Sequence, residues 1–224
     1  MDIRSRVTDV FGKVTAEFAG AAPLQKLLHG KASAEELKNF VANVFRTHYL
    51  SAHIVAFCFA SLPSKASALL KENLLEEMGH TDDQAHSALL LKLAQGAGFT
   101  NADVERLKDD ARGLVRAFCA MTTPFATLRD ICLAVLLETM SFEFMLSRCS
   151  SQIADALRDR YAFSKEALQW FELHSEVDIR HAEEGLTVIE DYLEFHEVPD
   201  DVFERVLQVT FAKNTFVQKY FPGG

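Results

Sequence analysis

Apolar residues recur at helical spacing along almost the whole chain. Ile3, Val7, Val10, Phe11, Val14 and Phe18 open it, and Leu37, Phe40, Val41, Val44 and Phe45 repeat the pattern. No segment alternates polar and apolar residues as a half-buried strand would. Helix-start signals punctuate the periodicity: Ser33 with Glu36 as a capping box, Ser64 directly after Pro63, Thr100 with Asp103, and Ser164 ahead of a long periodic run. Pro63, the "GAGF" at 96–99, Pro124 and Pro199 mark stops. Together these signals predict about seven helices, at roughly 2–29 (breakable near Pro23), 34–61, 65–94, 102–122, 127–159, 165–196 and 200–219. Long helices with short connections predict an all-α antiparallel bundle whose interior can carry a ligand or metal. With no repeat, linker or low-complexity segment, the 224 residues suit one domain over 1–224.

Composition narrows the function classes. Hydrophobic residues make up 49% of the chain, against 10 glycines and 5 prolines, which fits a packed core rather than disorder. No run of eighteen apolar residues is present, so no membrane span is expected. The N-terminal "MDIRSRVTDVFGKV" has no basic region leading into an apolar one, and a cytoplasmic location is the expectation. With 23 Lys+Arg against 32 Asp+Glu, the formal charge of -9 opposes phosphate neutralisation and argues against a nucleic-acid partner. Cys58, Cys119, Cys132 and Cys149 are scattered without CxxC or disulfide-framework spacing, as buried small hydrophobes would be.

The chemistry lies in three stretches. "LHSEVDIRHAEEG" places His174, Asp178 and His181 at offsets of four and three, on one helical face. "LLETMSFEFMLS" carries Glu138 and Glu143 through an otherwise apolar run, where a carboxylate needs a partner or a metal. "ENLLEEMGHTDDQAHSALLL" holds Glu72, Glu76, Glu77, His80 and His86. Here spacing leaves two alternatives. Glu77 and His80 form an ExxH pair on one face, whereas Glu76 and His86, ten residues apart, are about 15 Å apart on an unbroken helix. The second pairing requires a break within 79–83. His48 and His53 in "FRTHYLSAH" do not share a face well and read as core or pocket lining, with Arg46 and Tyr49 as candidate substrate contacts.

The ordered set "EEMGHTDDQAHSALL", a lone Glu in an apolar helix, and "HSEVDIRH" resembles the haem-oxygenase-like diiron oxidases, relatives of the TenA and PqqC fold. In this chain His86 follows Glu76 by ten residues, Glu143 follows His86 by fifty-seven, and His174 follows Glu143 by thirty-one. The resemblance implies a haem-oxygenase-like helical bundle with a metal set of Glu76, His86, Glu143, His174, Asp178 and His181. Glu138 stands in reserve for Glu143, and the Glu77–His80 pair for Glu76–His86. It also implies two ferrous ions and dioxygen as co-substrate, in an oxidase or oxygenase acting on a small amine- or carboxylate-bearing metabolite. N-oxygenation, oxidative C–C cleavage and decarboxylation are the reactions of similar proteins. It names no catalytic side chain and leaves a homodimer open. Family members that consume a tyrosine of their own carry one near the metal, whereas this chain has phenylalanines beside Glu143 and Trp170 one turn before His174. The alternative reading is a metal-independent bundle, like TenA or PqqC, enclosing an organic ligand.

Overall fold

The computed structural model describes residues 2–222 apart from His80, Asp82, Asp83 and Met121; the side chains of residues 176–179 also lie outside the described set. Every regular element among the described residues is an α-helix. In chain order these are α1 (Ile3–Ala19), α2 (Ala22–Leu28), α3 (Ala34–His48), α4 (Ser51–Ser61), α5 (Ser67–Met78) and α6 (His86–Gly96). They continue with α7 (Asn101–Ala120), α8 (Leu128–Tyr161), α9 (Lys165–Phe195), α10 (Asp200–Thr210) and α11 (Thr215–Tyr220). Four of the seven predicted helices are therefore broken in two.

Side-chain caps start many of these helices. Ser33 and Glu36 form the complete capping box of α3, and Thr127, Ser164 and Asn214 accept backbone N–H groups at the starts of α8, α9 and α11. Ser64 behaves differently from its prediction: α5 begins three residues later, and the Ser64 hydroxyl donates instead to Asp191. The division of 34–61 carries no glycine or proline signal. Its cause is tertiary. Phe40, Val41, Val44 and Phe45 of α3 belong to one apolar cluster, whereas Cys58 of α4 and Leu62 just beyond it belong to another. The chain turns at Tyr49 and Leu50 to pass from one to the other.

Two apolar clusters organise the bundle. The first joins Val14, Phe18, Phe40, Leu90, Leu157, Trp170 and Phe171; the second joins Val7, Phe11, Leu70, Leu137, Ile189 and Val206. Helices α8 and α9 run through both, folding back on each other across the short turn at 162–164, where Ala162 takes the left-handed conformation that ends α8. Glycines allow close approaches to α9: a Cβ on Gly185 of α9 would meet Met140 of α8, and one on Gly96 of α6 would sit 2.5 Å from Ala167 Cβ of α9. On α9 the first cluster ends at Phe171 and the second begins at Ala182. His174 and His181 fall in that gap. On α8, Glu143 lies between Phe142 of the first cluster and Phe144 of the second, so the polar stretches of several helices meet at the junction.

Candidate metal centre

Four helices bring donors to this junction. Helix α5 ends at Met78, and Gly79 turns the chain with φ 74° and ψ 152°. Helix α6 restarts at His86. A Cβ at Gly79 would lie 2.4 Å from the Ala85 backbone nitrogen, so the turn requires glycine on two counts, space and backbone conformation. The helical break expected within 79–83 is therefore present. It folds His86 back onto the end of α5, where its Nδ1 stands 2.9 Å from Glu77 Oε2. His174 of α9 completes a buried group with these two: one donor atom from each of Glu77, His86 and His174 lies within 4.8 Å of the others. The two imidazole rings are 4.7 Å apart.

A second group adjoins the first. His181 stands between two carboxylates, with Nδ1 3.4 Å from Glu143 Oε2 and Nε2 2.8 Å from Glu76 Oε2. The guanidinium of Arg180 donates to Glu76 Oε1. Asn73 Nδ2 donates to Glu143 Oε1 at 3.3 Å, and the Ser51 hydroxyl donates to Glu77. Glu143 is 6% exposed, Glu77 7%, and His86, His174 and His181 3% each, so the donors are held away from water.

Electrostatics tie the two groups together. Burial pushes His86 down, but Glu77 beside it, helped by Glu143, holds its pKa above the ordinary histidine value. His174 goes the opposite way, well below the ordinary value, through burial and the neighbouring His86. Burial raises Glu76, yet its hydrogen bond to Arg180 and the charge of the neighbouring His181 and Arg180 leave it below the ordinary carboxylate value. The charge of Glu143 acts on both His86 and His174 while its carboxylate contacts His181, so one group feels the other.

Of the six residues predicted from the sequence, five meet here: Glu76, His86, Glu143, His174 and His181. The side chain of Asp178 lies outside the described residues, as does His80. The structure brings Glu77, an alternative paired in sequence with His80, against His86 and His174 instead, and sets Glu76 against His181 and Arg180. Glu138 is turned away toward Lys219 and Thr215. His48 is buried against Phe142, Trp170 and Tyr220, and Arg46 pairs with Asp110 on α7. Asn73 and Ser51 had no sequence signal, because a single polar residue on a helix is ordinary until its partner is known.

The site suits metal. Glu76 Oε2, His86 Nδ1 and Asn73 Oδ1 are buried, and none makes an aligned hydrogen bond despite close neighbours. Buried oxygen and imidazole nitrogen donors left in that condition are costly without a cation. Mixed imidazole and carboxylate donors match iron better than the closed thiolate sites of structural zinc or the oxygen cages of calcium.

The sequence profile of a family described as iron-containing redox enzymes matches residues 38–212. The chain belongs to this haem-oxygenase-like family, and its all-α fold agrees. It is thus an iron-containing redox enzyme, with every donor described above inside the matched range. No curated protein matches the chain. Among the described residues, no helix is long and apolar enough to cross a membrane.

Proposed function

We propose that the protein is a non-haem diiron oxidase or oxygenase that uses dioxygen to oxidise a small amine- or carboxylate-bearing metabolite. One observation carries the reading: the buried Glu77–His86–His174 group stands in the field of Glu143, which also contacts His181 beside Glu76. In this assignment Glu77, His86 and His174 would hold one iron, and His181 and Glu143, with the sequence-predicted Asp178, would supply donors for the second. Glu76 takes the outer nitrogen of His181 and fixes that ring, an arrangement common around metal-bound histidines, with Arg180 fixing Glu76 in turn. When bound, ferrous iron supplies the electrons that reduce dioxygen.

The chain's own residues do the rest. Asn73 orients the Glu143 carboxylate through its amide N–H. Trp170 and Phe142, both buried, exclude water from the histidine side. His86 must give up its proton for a metal to take the ring, so loading releases protons and weakens as pH falls.

Metal analysis after anaerobic ferrous loading tests the assignment. Wild type should bind about two irons per chain, since so large a donor set exceeds the need of one ion. Glu143→Gln and His174→Ala should lose most of that iron, and Glu77→Gln should lose more than Glu76→Gln. The reverse order would return the ligand role to Glu76. A folded wild type that takes up no iron would favour the metal-independent reading.

A further inference from the structure

The donor cluster is joined on one side to a line of aromatic rings that chain order does not foreshadow. Trp170 stands one turn before His174 on α9, with ring centroids 4.1 Å apart, and its carbonyl accepts the His174 Nδ1–H at 2.6 Å. On its other side the indole meets the His48 ring of α3 at 4.9 Å. His48 Nε2 in turn lies 2.7 Å from the hydroxyl of Tyr220 on α11. Trp170 and Tyr220 are fully buried. Three helices thus supply an unbroken run of contacts from a buried phenol to a candidate iron ligand.

The two oxidisable rings differ in where a proton can go. The indole N–H of Trp170 is buried and makes no hydrogen bond, so nothing accepts its proton on oxidation. The phenol of Tyr220 faces an imidazole nitrogen. Removing an electron from a phenol makes it a strong acid, so positive charge created on Trp170 settles on Tyr220, whose proton has a base to receive it. Burial keeps His48 neutral and able to serve as that base.

The geometry points to a one-electron relay, Tyr220–His48–Trp170–His174, with Tyr220 as terminal electron donor to the metal centre and Trp170 as intermediate carrier. This rests on the diiron reading above. Trp170 gives one electron through His174 to a centre oxidised by dioxygen. Tyr220 gives one electron to Trp170 and restores the neutral indole. The phenolic proton passes to His48 Nε2, so each transfer ends with one phenoxyl radical, one proton on His48 and one electron gained by the centre. The relay draws an oxidising equivalent away from the ligands when no substrate consumes it.

The chain has one tryptophan, so laser photoionisation of the metal-free protein at the long-wavelength edge of indole absorption, beyond that of tyrosine, addresses Trp170 alone. In wild type the indole radical should decay as phenoxyl absorbance grows. Tyr220→Phe should lose that growth and lengthen the indole lifetime, whereas Tyr49→Phe, Tyr161→Phe and Tyr192→Phe should retain it. After iron loading and exposure to dioxygen, freeze-quenched wild type should show an electron-spin-resonance signal that ring-deuterated tyrosine narrows. Tyr220→Phe should lose the signal with its iron content unchanged. A tyrosine signal that survives in Tyr220→Phe, or no phenoxyl in an iron-binding wild type, overturns the relay alone. Absence of bound iron overturns the diiron reading and the metal end of the relay together, while the photoionisation arm still reports on the Trp170–Tyr220 step.

Discussion

Adjacent residues of like chemistry take different parts in this site. Glu76 and Glu77 are neighbours on the last turn of α5, about 100° apart in helical projection, so one faces His181 and Arg180 while the other meets His86 and His174. That divergence is why the metal analysis of Glu77→Gln against Glu76→Gln separates ligand from orienting group. His48 offers a second test at this scale. Burial, with Lys219 nearby, pulls its pKa down to about 3, against the ordinary 6.5 of the unfolded chain. Below about pH 6.5 the unfolded state takes up a proton that the folded state refuses, so the contribution of His48 is whole above that pH and is lost as pH falls toward 3. The limiting slope is about 1.4 kcal/mol per pH unit for one proton. Urea unfolding of the metal-free protein should show wild type losing more stability on acidification than His48→Phe. Parallel losses would mean that His48 is charged or exposed in the native state.

Helices gain their chemistry here from where they stop. A continuous helix through α5 and α6 would carry His86 far from Glu77; the turn at Gly79 reverses that separation. Gly79→Ala adds a Cβ against the Ala85 backbone at a dihedral pair that only glycine adopts readily. Strain of this kind costs of order 1–3 kcal/mol, and it falls on the segment that aligns Glu77 with His86. The substitution should therefore lower ferrous affinity at least roughly tenfold, about the factor that 1.4 kcal/mol represents, if the strain is relieved by moving the turn. Isothermal titration under anaerobic conditions checks this, and unchanged affinity would show that the turn does not position the donors. The Tyr49–Leu50 break acts similarly, leaving His48 against Phe142 and Trp170 of the first cluster while Ser51, just beyond it, reaches Glu77.

Across the whole molecule, the centre lies where two apolar clusters meet, and α5, α6, α8 and α9 each contribute to it. A metal bound there touches helices from both clusters and binds the folded chain far better than the unfolded one. At iron concentrations about a hundredfold above the dissociation constant, one such ion stabilises the fold by about 2.7 kcal/mol. Thermal melting under anaerobic conditions should thus show a rise in Tm with ferrous iron for wild type and a smaller rise for Glu143→Gln, which loses a donor carboxylate. Equal rises for the two would remove Glu143 from the centre.

Much of this was readable before any fold was known. The 3.6-residue periodicity and the caps at Ser33, Thr100 and Ser164 announced an all-α bundle, because those signals depend only on residues within a turn or two of each other. The face shared by His174 and His181, and the isolation of Glu143 among apolar residues, were local in the same sense. Other features depended on contacts between distant segments. No nearby residue says that 34–61 must break at Tyr49, since the cause is the passage between two clusters. The choice between Glu76 and Glu77 turns on how α5 is rotated against α9. The approach of His48 to Tyr220 and to Trp170 joins residues 172 and 122 positions apart in the chain. Such proximities follow from packing, where each helix settles by burying its apolar stripe against several others, and a sequence window that sees one helix at a time carries no record of them.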